Sequence, residues 1–492
     1  MTTDNIARYS AFASRDPRFD GVFYVGVTST GIYCRPVCTA RTPKAANCRF
    51  FDSAEAAEQA SFRPCLRCRP ELAPGNAPVD DARRIAHLVA QRIDEGILDD
   101  GAGLERIAAR FGWSSRQIRR LVHHELGVSP MELVLTRRLL LAKQLLTDTT
   151  LSVTDVAFAS GFSSVRRFND AFVRRYAMPP SRLRNAASST TRGVATRVAH
   201  DSVMLRLTYR APFDWEELLG FLRPRTLRGV EWIDETAYHR TVQLGAYSGW
   251  VCVTHAPEKR ALVVEFARAL TPALPALLGR LRHLFDLDAR PDVIAEQLAQ
   301  DAQLAGAVAR HPGLRIPGAF DGFDMAVRAI VGQQITVRAA TTIAGRLAHA
   351  FGEAITTPFA TLTHRSPGAE RIARASVDEI ARLGVIQTRA RSIIALAREV
   401  AEGRLSLEPG ADAETTMRQL VDLPGIGAWT AHYVAMRALC WPDAFPKEDV
   451  VLRRRLGGVS AARAEKLSQR WRPWRSYAAL HLWNSPAHAD VS

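Results

Sequence analysis

Five of the seven cysteines in this 492-residue sequence lie between positions 34 and 68. They include two close pairs, Cys34 with Cys38 and Cys65 with Cys68, whereas Cys48 belongs to neither pair. Four thiolates from two such pairs are the ligand set of a closed, tetrahedral zinc site, and a domain this small would gain much of its folding free energy from the metal. The spacing therefore predicts one Zn²⁺ bound by Cys34, Cys38, Cys65 and Cys68.

A second motif that could do chemistry lies nearer the C-terminus, in the sequence Leu423-Pro-Gly-Ile-Gly-Ala-Trp-Thr-Ala-His-Tyr433. Gly425 and Gly427 allow a tight turn between two helices, and such a turn presents backbone N–H groups to a phosphate. The motif alone indicates nonspecific DNA binding. It becomes more specific because acidic residues, Glu448 and Asp449, follow it in the sequence.

The hairpin with its acidic residue resembles the helix-hairpin-helix DNA glycosylase superfamily, and residues 204–486 resemble the AlkA-type 3-methyladenine DNA glycosylases. The resemblance implies hydrolysis of the N-glycosidic bond of alkylated purines, with Asp449 as the catalytic residue and Glu448 as the competing carboxylate. The wider resemblance rests on Phe213-Asp-Trp215, Gly220-Phe-Leu222, Phe285-Asp-Leu287, Pro312-Gly-Leu-Arg-Ile-Pro-Gly318, Val327-Arg-Ala-Ile-Val-Gly-Gln333 and Trp471-Arg-Pro-Trp-Arg-Ser-Tyr477.

One carboxylate is enough for this reaction because an N-alkylated purine already carries positive charge and leaves easily. Its departure makes the deoxyribose oxocarbenium-like, and a nearby anion stabilises that charge in a dry site. Bifunctional relatives have a Schiff-base lysine where this chain has Trp429, and Lys447 does not match that lysine. The resemblance therefore implies monofunctional hydrolysis without strand cleavage.

The resemblance also implies a pocket for the flipped base, since an electron-poor ring stacks well on aromatic side chains. Gln334 stands where relatives usually have an apolar wedge that fills the gap in the duplex, and Val450 stands where some relatives have an aromatic residue. Both departures bear on the range of lesions rather than on the reaction. The positions that match the base pocket are Phe221, Trp429, Tyr433 and Trp483.

Two stretches around the cysteines, Thr30-Gly-Ile-Tyr-Cys-Arg-Pro-Val-Cys38 and Phe62-Arg-Pro-Cys-Leu-Arg-Cys-Arg-Pro70, resemble the N-terminal domain of the Ada alkylation-response proteins. The resemblance implies that Cys34 accepts a methyl group from a DNA methylphosphotriester, because zinc holds the sulfur as a nucleophilic thiolate. Methylation would make the site one charge less negative and so weaken its repulsion from DNA. The alternative is a purely structural zinc. The Pro-Cys-His-Arg motif with which complete Ada proteins accept methyl from O6-methylguanine is absent from the sequence.

Residues 79–186 resemble the paired helix-turn-helix domain of the AraC family, and we expect its recognition helices to begin near Ser115 and Ser164. Apolar residues recur at helical spacing in both units. Two recognition helices joined by a long helix could enter successive major grooves, about 34 Å apart. The side chains predicted to face DNA are Arg116, Arg119, Arg120, Arg166, Arg167 and Asn169.

The charge balance favours a nucleic-acid partner, because 65 lysines and arginines against 50 acidic residues give a formal charge of +15. The sequence has no apolar run suited to a membrane span and no secretory signal. We therefore expect a cytoplasmic, nucleoid-associated bacterial protein with no membrane partner. Expected partners are alkylated duplex DNA, promoter DNA and RNA polymerase, and we expect a monomer. Cys252 and Cys440 are predicted to be core residues.

Together these patterns predict a multidomain chain whose function is alkylation repair by a DNA glycosylase fused to an alkylation-sensing transcription regulator. Two alternatives stay open: a transcription regulator whose C-terminal unit only binds DNA, and a glycosylase whose N-terminal domains are vestigial. The predicted segments are a small α/β zinc domain (1–78), an all-α paired helix-turn-helix domain (79–186), a linker (187–203), an α+β glycosylase subdomain (204–291) and an all-α helix-hairpin-helix core (292–492).

Overall fold

The computed structural model describes residues 3–15, 20, 23–70, 85–86, 89–90, 92–93, 103–110, 113–190, 201–409 and 411–485. The chain divides into two compact units, residues 1–93 with 98–135 and residues 94–97 with 136–492. The predicted boundary at residues 78 and 79 lies outside the described residues, and the five-segment division stays a prediction. Across the described ranges, no helix is long and apolar enough to cross a membrane.

A four-stranded sheet organises the N-terminal part of the first unit. Its elements are α1 (Thr3–Ala13), β1 (Tyr24–Val27), β2 (Ile32–Cys34), β3 (Cys48–Phe51), α2 (Ala54–Gln59) and β4 (Arg63–Pro64). The strand order is β3-β1-β2-β4, and β2 and β4 run parallel. Phe12 and Val25 are buried in one small cluster and Tyr33 and Phe62 in another. The apolar core is small and divided, as expected of a domain that a metal stabilises.

The first helix-turn-helix unit lies in the same compact unit, and its recognition helix begins where the sequence predicts. The Ser114 hydroxyl accepts a hydrogen bond from the backbone of Gln117, whose side chain accepts one from the backbone of Ser114. This reciprocal capping box fixes the start of the recognition helix. Gly127, in the left-handed conformation with φ of 74°, ends it. The helices are α3 (Gly103–Arg110) and α4 (Ser115–Leu126).

The second helix-turn-helix unit lies in the second compact unit, and its recognition helix also begins at a serine cap. Ser164 caps the recognition helix by accepting a hydrogen bond from the backbone of Arg167, and Gly161 adopts a φ of 87° at the preceding turn. Phe168 and Phe172 are fully buried, as their spacing predicts. The helices that follow α4 are α5 (Pro130–Asp148), which spans both compact units, α6 (Val153–Ala159), α7 (Val165–Tyr176) and α8 (Pro180–Thr190).

Helix α8 continues to Thr190 and the next strand begins at Ser202, so both reach into the segment predicted as a linker (187–203); residues 191–200 lie outside the described part. An antiparallel sheet follows, in the order β5-β9-β8-β7-β6. Leucines of two helices cover one of its faces and share its core. The elements are β5 (Ser202–Thr208), α9 (Trp215–Leu222), β6 (Glu231–Ile233), β7 (Tyr238–Leu244), β8 (Tyr247–Ala256), β9 (Ala261–Ala267) and α10 (Leu274–Leu284).

The second helix-turn-helix unit packs against β5, the edge strand of this sheet. Gln144 Nε2 donates a hydrogen bond of 2.6 Å to the backbone oxygen of Arg206, and Arg268 lies 3.7 Å from the Asp155 carboxylate. Buried residues of α5 to α7 and of the sheet belong to one continuous apolar cluster.

The rest of the second unit is helical, and the fold class predicted from the sequence is confirmed. Helix α13 packs against α17 and α19, and α18 packs against α19 to form the hairpin. The helices are α11 (Pro291–Leu298), α12 (Ala305–Arg310), α13 (Gly322–Val331), α14 (Val337–Phe351), α15 (Ala369–Ala373), α16 (Val377–Ala381), α17 (Gln387–Ala401), α18 (Ala413–Val421), α19 (Ala428–Arg437), α20 (Val450–Arg455), α21 (Ala461–Ser468) and α22 (Arg475–Asn484).

Candidate active site and zinc site

Three donors from three helices hold the carboxylate of Asp449. Its Oδ1 accepts a hydrogen bond of 2.8 Å from the backbone of Leu452, which makes Asp449 the N-cap of α20, and one of 3.1 Å from Trp483 Nε1 on α22. Its Oδ2 accepts a hydrogen bond of 2.9 Å from Trp429 Nε1 on α19. Together these three donors hold the carboxylate in one orientation.

A buried ion pair aligns the elements that carry these groups. Arg475, the first residue of α22, donates from Nε to Asp443 Oδ1 at 2.7 Å and is 3% exposed. Asp443 lies in the segment between α19 and α20 that leads to Asp449. The pair therefore ties the helix that bears Trp483 to the loop that delivers the carboxylate.

A cleft of about 730 Å³ opens beside Asp449. On α19, Trp429 and Tyr433 are four residues apart and therefore on one face, and their rings stack with centroids 5.1 Å apart and planes 12° apart. Trp483 meets Tyr433 edge-on at 6.3 Å. The cleft is lined by all four aromatic residues predicted for the base pocket together with the predicted catalytic carboxylate: Phe221, Trp429, Tyr433, Trp483 and Asp449.

The loop that carries the predicted wedge lies beside the hairpin. Gln334 is exposed in the left-handed conformation, with φ of 55°, between α13 and α14, and the next residue, Ile335, lines the cleft. Gln333 donates from Nε2 to the backbone oxygen of Gly425 and to Thr430 Oγ1, both at 3.1 Å. These bonds hold the wedge loop against the turn of the hairpin.

The two hairpin glycines differ in what they require. Gly425 has φ of 77°, and a Cβ there would overlap the Ser392 hydroxyl, so the turn needs glycine at this position. Gly427 has φ of −93°, and a Cβ there would meet nothing within 4 Å. The sequence suggested that both glycines serve the tight turn, but only Gly425 does. Gly427 is the exposed N-cap residue of α19, and its backbone is open to an approaching phosphate.

Glu448, the competing carboxylate, is half-buried. Its Oε2 atom is buried and has no hydrogen-bond partner within the described part of the chain. His432 is close enough for the two charges to interact, although burial keeps the net pKa of His432 below its usual range. Glu448 does not line the cleft, whereas Asp449 does.

Three arginines at the base pocket were not anticipated from the sequence. Arg225 lines the cleft with its guanidinium carbon 3.9 Å from the centre of the Phe221 ring, and Arg328 lines the cleft beside it. Buried Arg437 donates from Nη1 to the hydroxyl of Tyr433 at 2.9 Å. Spacing could have revealed two of them, because each lies four residues after a pocket aromatic, Arg225 after Phe221 and Arg437 after Tyr433.

The three arginines make the electrostatic potential around Phe221 and Tyr433 more positive. Burial lowers the pKa of Arg225 and lowers that of Arg328 to about 10, although both remain cationic at neutral pH. Burial acts to raise the pKa of Tyr433, but the guanidinium groups of Arg437 and Arg225 outweigh it, and the net shift is downward. A phenol with a lowered pKa reports positive potential around its oxygen.

Sheet pairing explains how the four cysteines meet. The parallel strands β2 and β4 pair Tyr33 with Pro64, so the next residues, Cys34 and Cys65, lie at the same end of the sheet. Tight turns then return Cys38 and Cys68 to the same place. The four sulfur atoms lie within 4.8 Å of one another, and all four residues are buried. Cys48 is outside this cluster, with its sulfur 3.5 Å from the backbone oxygen of Lys44.

The cluster fits one Zn²⁺, as predicted. Hydrogen bonds with Cys38 and Cys68, together with burial, raise the pKa of the Cys34 thiol well above its usual range. Four buried thiolates therefore need a cation to balance them, and four thiolates around one metal are the usual structural zinc set. The buried guanidinium of Arg35 braces the site by donating to the Asp20 carboxylate and, at 3.4 Å, to the backbone oxygen of Cys68.

The helix-turn-helix units present their basic residues to solvent. Arg116, Arg119 and Arg120 are exposed on α4, and Arg119 lies 3.7 Å from Glu105. On α7, Arg166 and Arg167 are exposed, whereas Asn169 is half-buried.

One solitary cysteine departs from the core position predicted for it. Cys440 is exposed with φ of 55°, because it follows the last turn of α19 where the chain reverses, and its sulfur contacts His283. Cys252 is half-buried in the middle of the five-stranded sheet, and burial raises the pKa of its thiol to about 12.

Four protein-family models match the chain in sequence order. They are the metal binding domain of Ada (residues 7–71), a helix-turn-helix domain (107–186), the AlkA N-terminal domain (204–321) and the HhH-GPD superfamily of base excision DNA repair proteins (327–475). Their order is the order predicted from the motifs.

Relatives cover both the whole chain and its parts. A protein of Mycobacterium tuberculosis named "Probable bifunctional transcriptional activator/DNA repair enzyme AlkA" is 40% identical over 98% of this chain and 96% of its own length. DNA-3-methyladenine glycosylase 2 of Escherichia coli is 34% identical over 57% of this chain and 96% of its own length. The bifunctional transcriptional activator/DNA repair enzyme AdaA of Bacillus subtilis is 30% identical over 37% of this chain and 83% of its own length. The chain belongs to the AlkA family of bifunctional transcriptional activator/DNA repair enzymes.

Proposed function

We propose that this protein is a monofunctional DNA glycosylase that releases alkylated purines of the 3-methyladenine class. The observation that carries the proposal is the Asp449 carboxylate, held by two indole N–H groups at an aromatic cleft. Trp429 and Trp483 hold the carboxylate in a fixed orientation, so it need not reorganise when positive charge develops on the sugar. The E. coli relative that covers this region bears the name of a 3-methyladenine glycosylase.

The other parts of the site have separate roles in this proposal. Backbone groups of the hairpin at Gly425 and Gly427 bind a phosphate of duplex DNA, and Gln334 enters the gap that the flipped nucleotide leaves. The base stacks against the four pocket aromatics, and water attacks C1′ on the face that Asp449 stabilises.

The test is release of free base from methylated duplex DNA by the purified protein. We expect 3-methyladenine to appear among the products while the abasic strand stays intact. Binding of the damaged duplex without base release would support the alternative in which the C-terminal unit only binds DNA.

We further propose that Cys34 accepts the methyl group of a DNA methylphosphotriester and that this transfer regulates promoter binding. The match to the metal binding domain of Ada and the four clustered cysteines support this step. When bound there, Zn²⁺ would keep the four sulfurs as thiolates. Transfer breaks the methyl–oxygen bond, forms a carbon–sulfur bond and leaves the phosphate with its ordinary charge.

Mass spectrometry tests this second activity. The peptide that contains Cys34 and Cys38 should gain one methyl group per chain, and zinc should remain bound. Methyl on Cys48, or no transfer at all, would leave a purely structural zinc site. In this proposal the protein acts as a monomer in the bacterial cytoplasm, on the nucleoid, with promoter DNA and RNA polymerase as partners.

A further inference from the structure

The second helix-turn-helix unit is joined to the glycosylase sheet by polar contacts as well as by a shared apolar cluster. Arg206 on β5 lies 3.4 Å from the Asp148 carboxylate at the end of α5, and its backbone oxygen accepts the hydrogen bond from Gln144. Arg268, in the segment after β9, faces Asp155 on α6. Buried residues of α5, α6 and α7 lie in one cluster with those of β5 and β9. A joint with an apolar core restricts relative motion, so this unit and the glycosylase form one body.

The joint leaves the recognition helix free. Helix α6 contacts the segment after β9, and α7 packs on α6. The exposed charges of α7 are four arginines and one aspartate, so this helix presents a net positive surface to solvent. They are Arg166, Arg167, Arg174, Arg175 and Asp170.

The helical core of the glycosylase contacts the sheet nearer its opposite edge. Arg240 on β7 donates a hydrogen bond of 2.6 Å to Asp324 on α13, and the Thr241 hydroxyl donates one of 2.8 Å to the backbone of His364. The strand order puts three strand spacings, about 14 Å, between β7 and β5. Helix α6, about 10 Å in diameter, adds to this separation. The fold therefore holds α7 and the helical core on the order of 25 Å apart, which is about seven base pairs along a duplex.

We propose that the second helix-turn-helix unit is a fixed second DNA-binding site of the glycosylase, which binds phosphates of the duplex that flanks the lesion. This inference rests on the proposed glycosylase function and adds a role to the unit beyond promoter binding. Arginine contacts to phosphate do not depend on sequence, so the site serves any duplex that is long enough.

The rigid joint makes the contribution of this site directional. The cleft accepts a nucleotide from a strand of fixed polarity, so α7 meets the duplex on one side of the lesion only. It also meets the duplex only beyond a minimum length. Because each bound phosphate releases condensed counterions, the gain in affinity is largest at low salt.

The experiment uses the full-length protein and duplexes with one 7-methylguanine and no promoter sequence. The short duplex has about five base pairs on either side of the lesion, and two longer ones extend it by about fifteen on the 5′ or the 3′ side. The quantity measured is the single-turnover rate divided by the half-saturating concentration. Wild type should favour one of the longer duplexes over the short one. Arg166→Gln with Arg167→Gln should lower this preference about tenfold at about 50 mM salt and little at about 200 mM, as expected for two phosphate contacts.

Lys259→Gln with Arg260→Gln is the matched control, because it removes the same two charges from the exposed turn between β8 and β9. It should keep the preference within about twofold of wild type. An equal loss in this control would show that net charge is the cause and would overturn the inference. So would a gain of equal size on both flanks, or a preference that Arg166→Gln with Arg167→Gln leaves unchanged. Base release from the short duplex alone would reject the second site and leave the proposed function intact, whereas no release from any duplex would reject both.

Discussion

Replacing Asp449 with asparagine removes the charge of the site with little change of shape. The carboxylate accepts three hydrogen bonds, two at Oδ1 and one at Oδ2. An asparagine can keep its oxygen towards Leu452 and Trp483, and it remains a good N-cap for α20. Its amide group then faces the Trp429 N–H, so one donor loses its acceptor.

The rate should fall by roughly three orders of magnitude. A unit positive charge about 4 Å from a carboxylate is stabilised by about 4 kcal/mol at an effective dielectric constant of about 20. Each 1.4 kcal/mol corresponds to about tenfold in rate. The lost hydrogen bond at Trp429 should lower the free energy of unfolding by about 1–3 kcal/mol, which a multihelical core can tolerate.

Single-turnover release of 7-methylguanine from a duplex oligonucleotide measures the effect, and fluorescence anisotropy of the labelled duplex should give an affinity within about threefold of wild type. Glu448→Gln is the control, because it neutralises the neighbouring carboxylate, which lies outside the cleft. It should retain activity within about threefold. An Asp449→Asn variant that keeps more than about a tenth of the activity, or a Glu448→Gln variant that loses as much, would refute the assignment of Asp449.

Three further predictions concern other parts of the chain. Borohydride should trap no covalent complex with damaged DNA, since Trp429 replaces the Schiff-base lysine; a trapped adduct on a denaturing gel would contradict monofunctional hydrolysis. After methyl transfer to Cys34, affinity for promoter DNA should rise, most at low salt where phosphate repulsion is least screened, and an unchanged affinity in a gel-shift titration would reject the switch. Gly425→Ala should lower the free energy of unfolding by about 1–2 kcal/mol because of its left-handed φ, whereas Gly427→Ala should have a smaller effect; equal shifts in thermal denaturation would show that turn geometry is not the cause.

Local patterns in the sequence were sufficient for much of the fold. Serine caps fixed the starts of both recognition helices and Gly127 fixed the end of the first, because capping depends on residues within one turn of the chain. The cysteine pairs indicated the metal and its ligands, since each pair has a spacing that fits one tetrahedral ion. The hairpin glycines and Asp449 indicated the reaction class through their resemblance to the helix-hairpin-helix glycosylases.

The tertiary structure decided how distant groups combine. Trp483 meets Trp429 at one carboxylate because a buried pair between Arg475 and Asp443 aligns α22 with the loop before α20. Spacing within one segment contains no information on such contacts, which depend on how helices pack. The exposure of Cys440 was misjudged for this reason.

The charge pattern of the base pocket is the clearest example of a feature that tertiary packing decided. Arg225, Arg328 and Arg437 come from three separate elements, and nothing in the sequence shows that these elements meet. Their cationic groups act together only because α9, α13 and α19 converge on one cleft, where low dielectric strengthens the interaction of charges. The sequence thus determined which reaction the protein is equipped to perform, whereas tertiary packing decided the electrostatic environment that the damaged base enters.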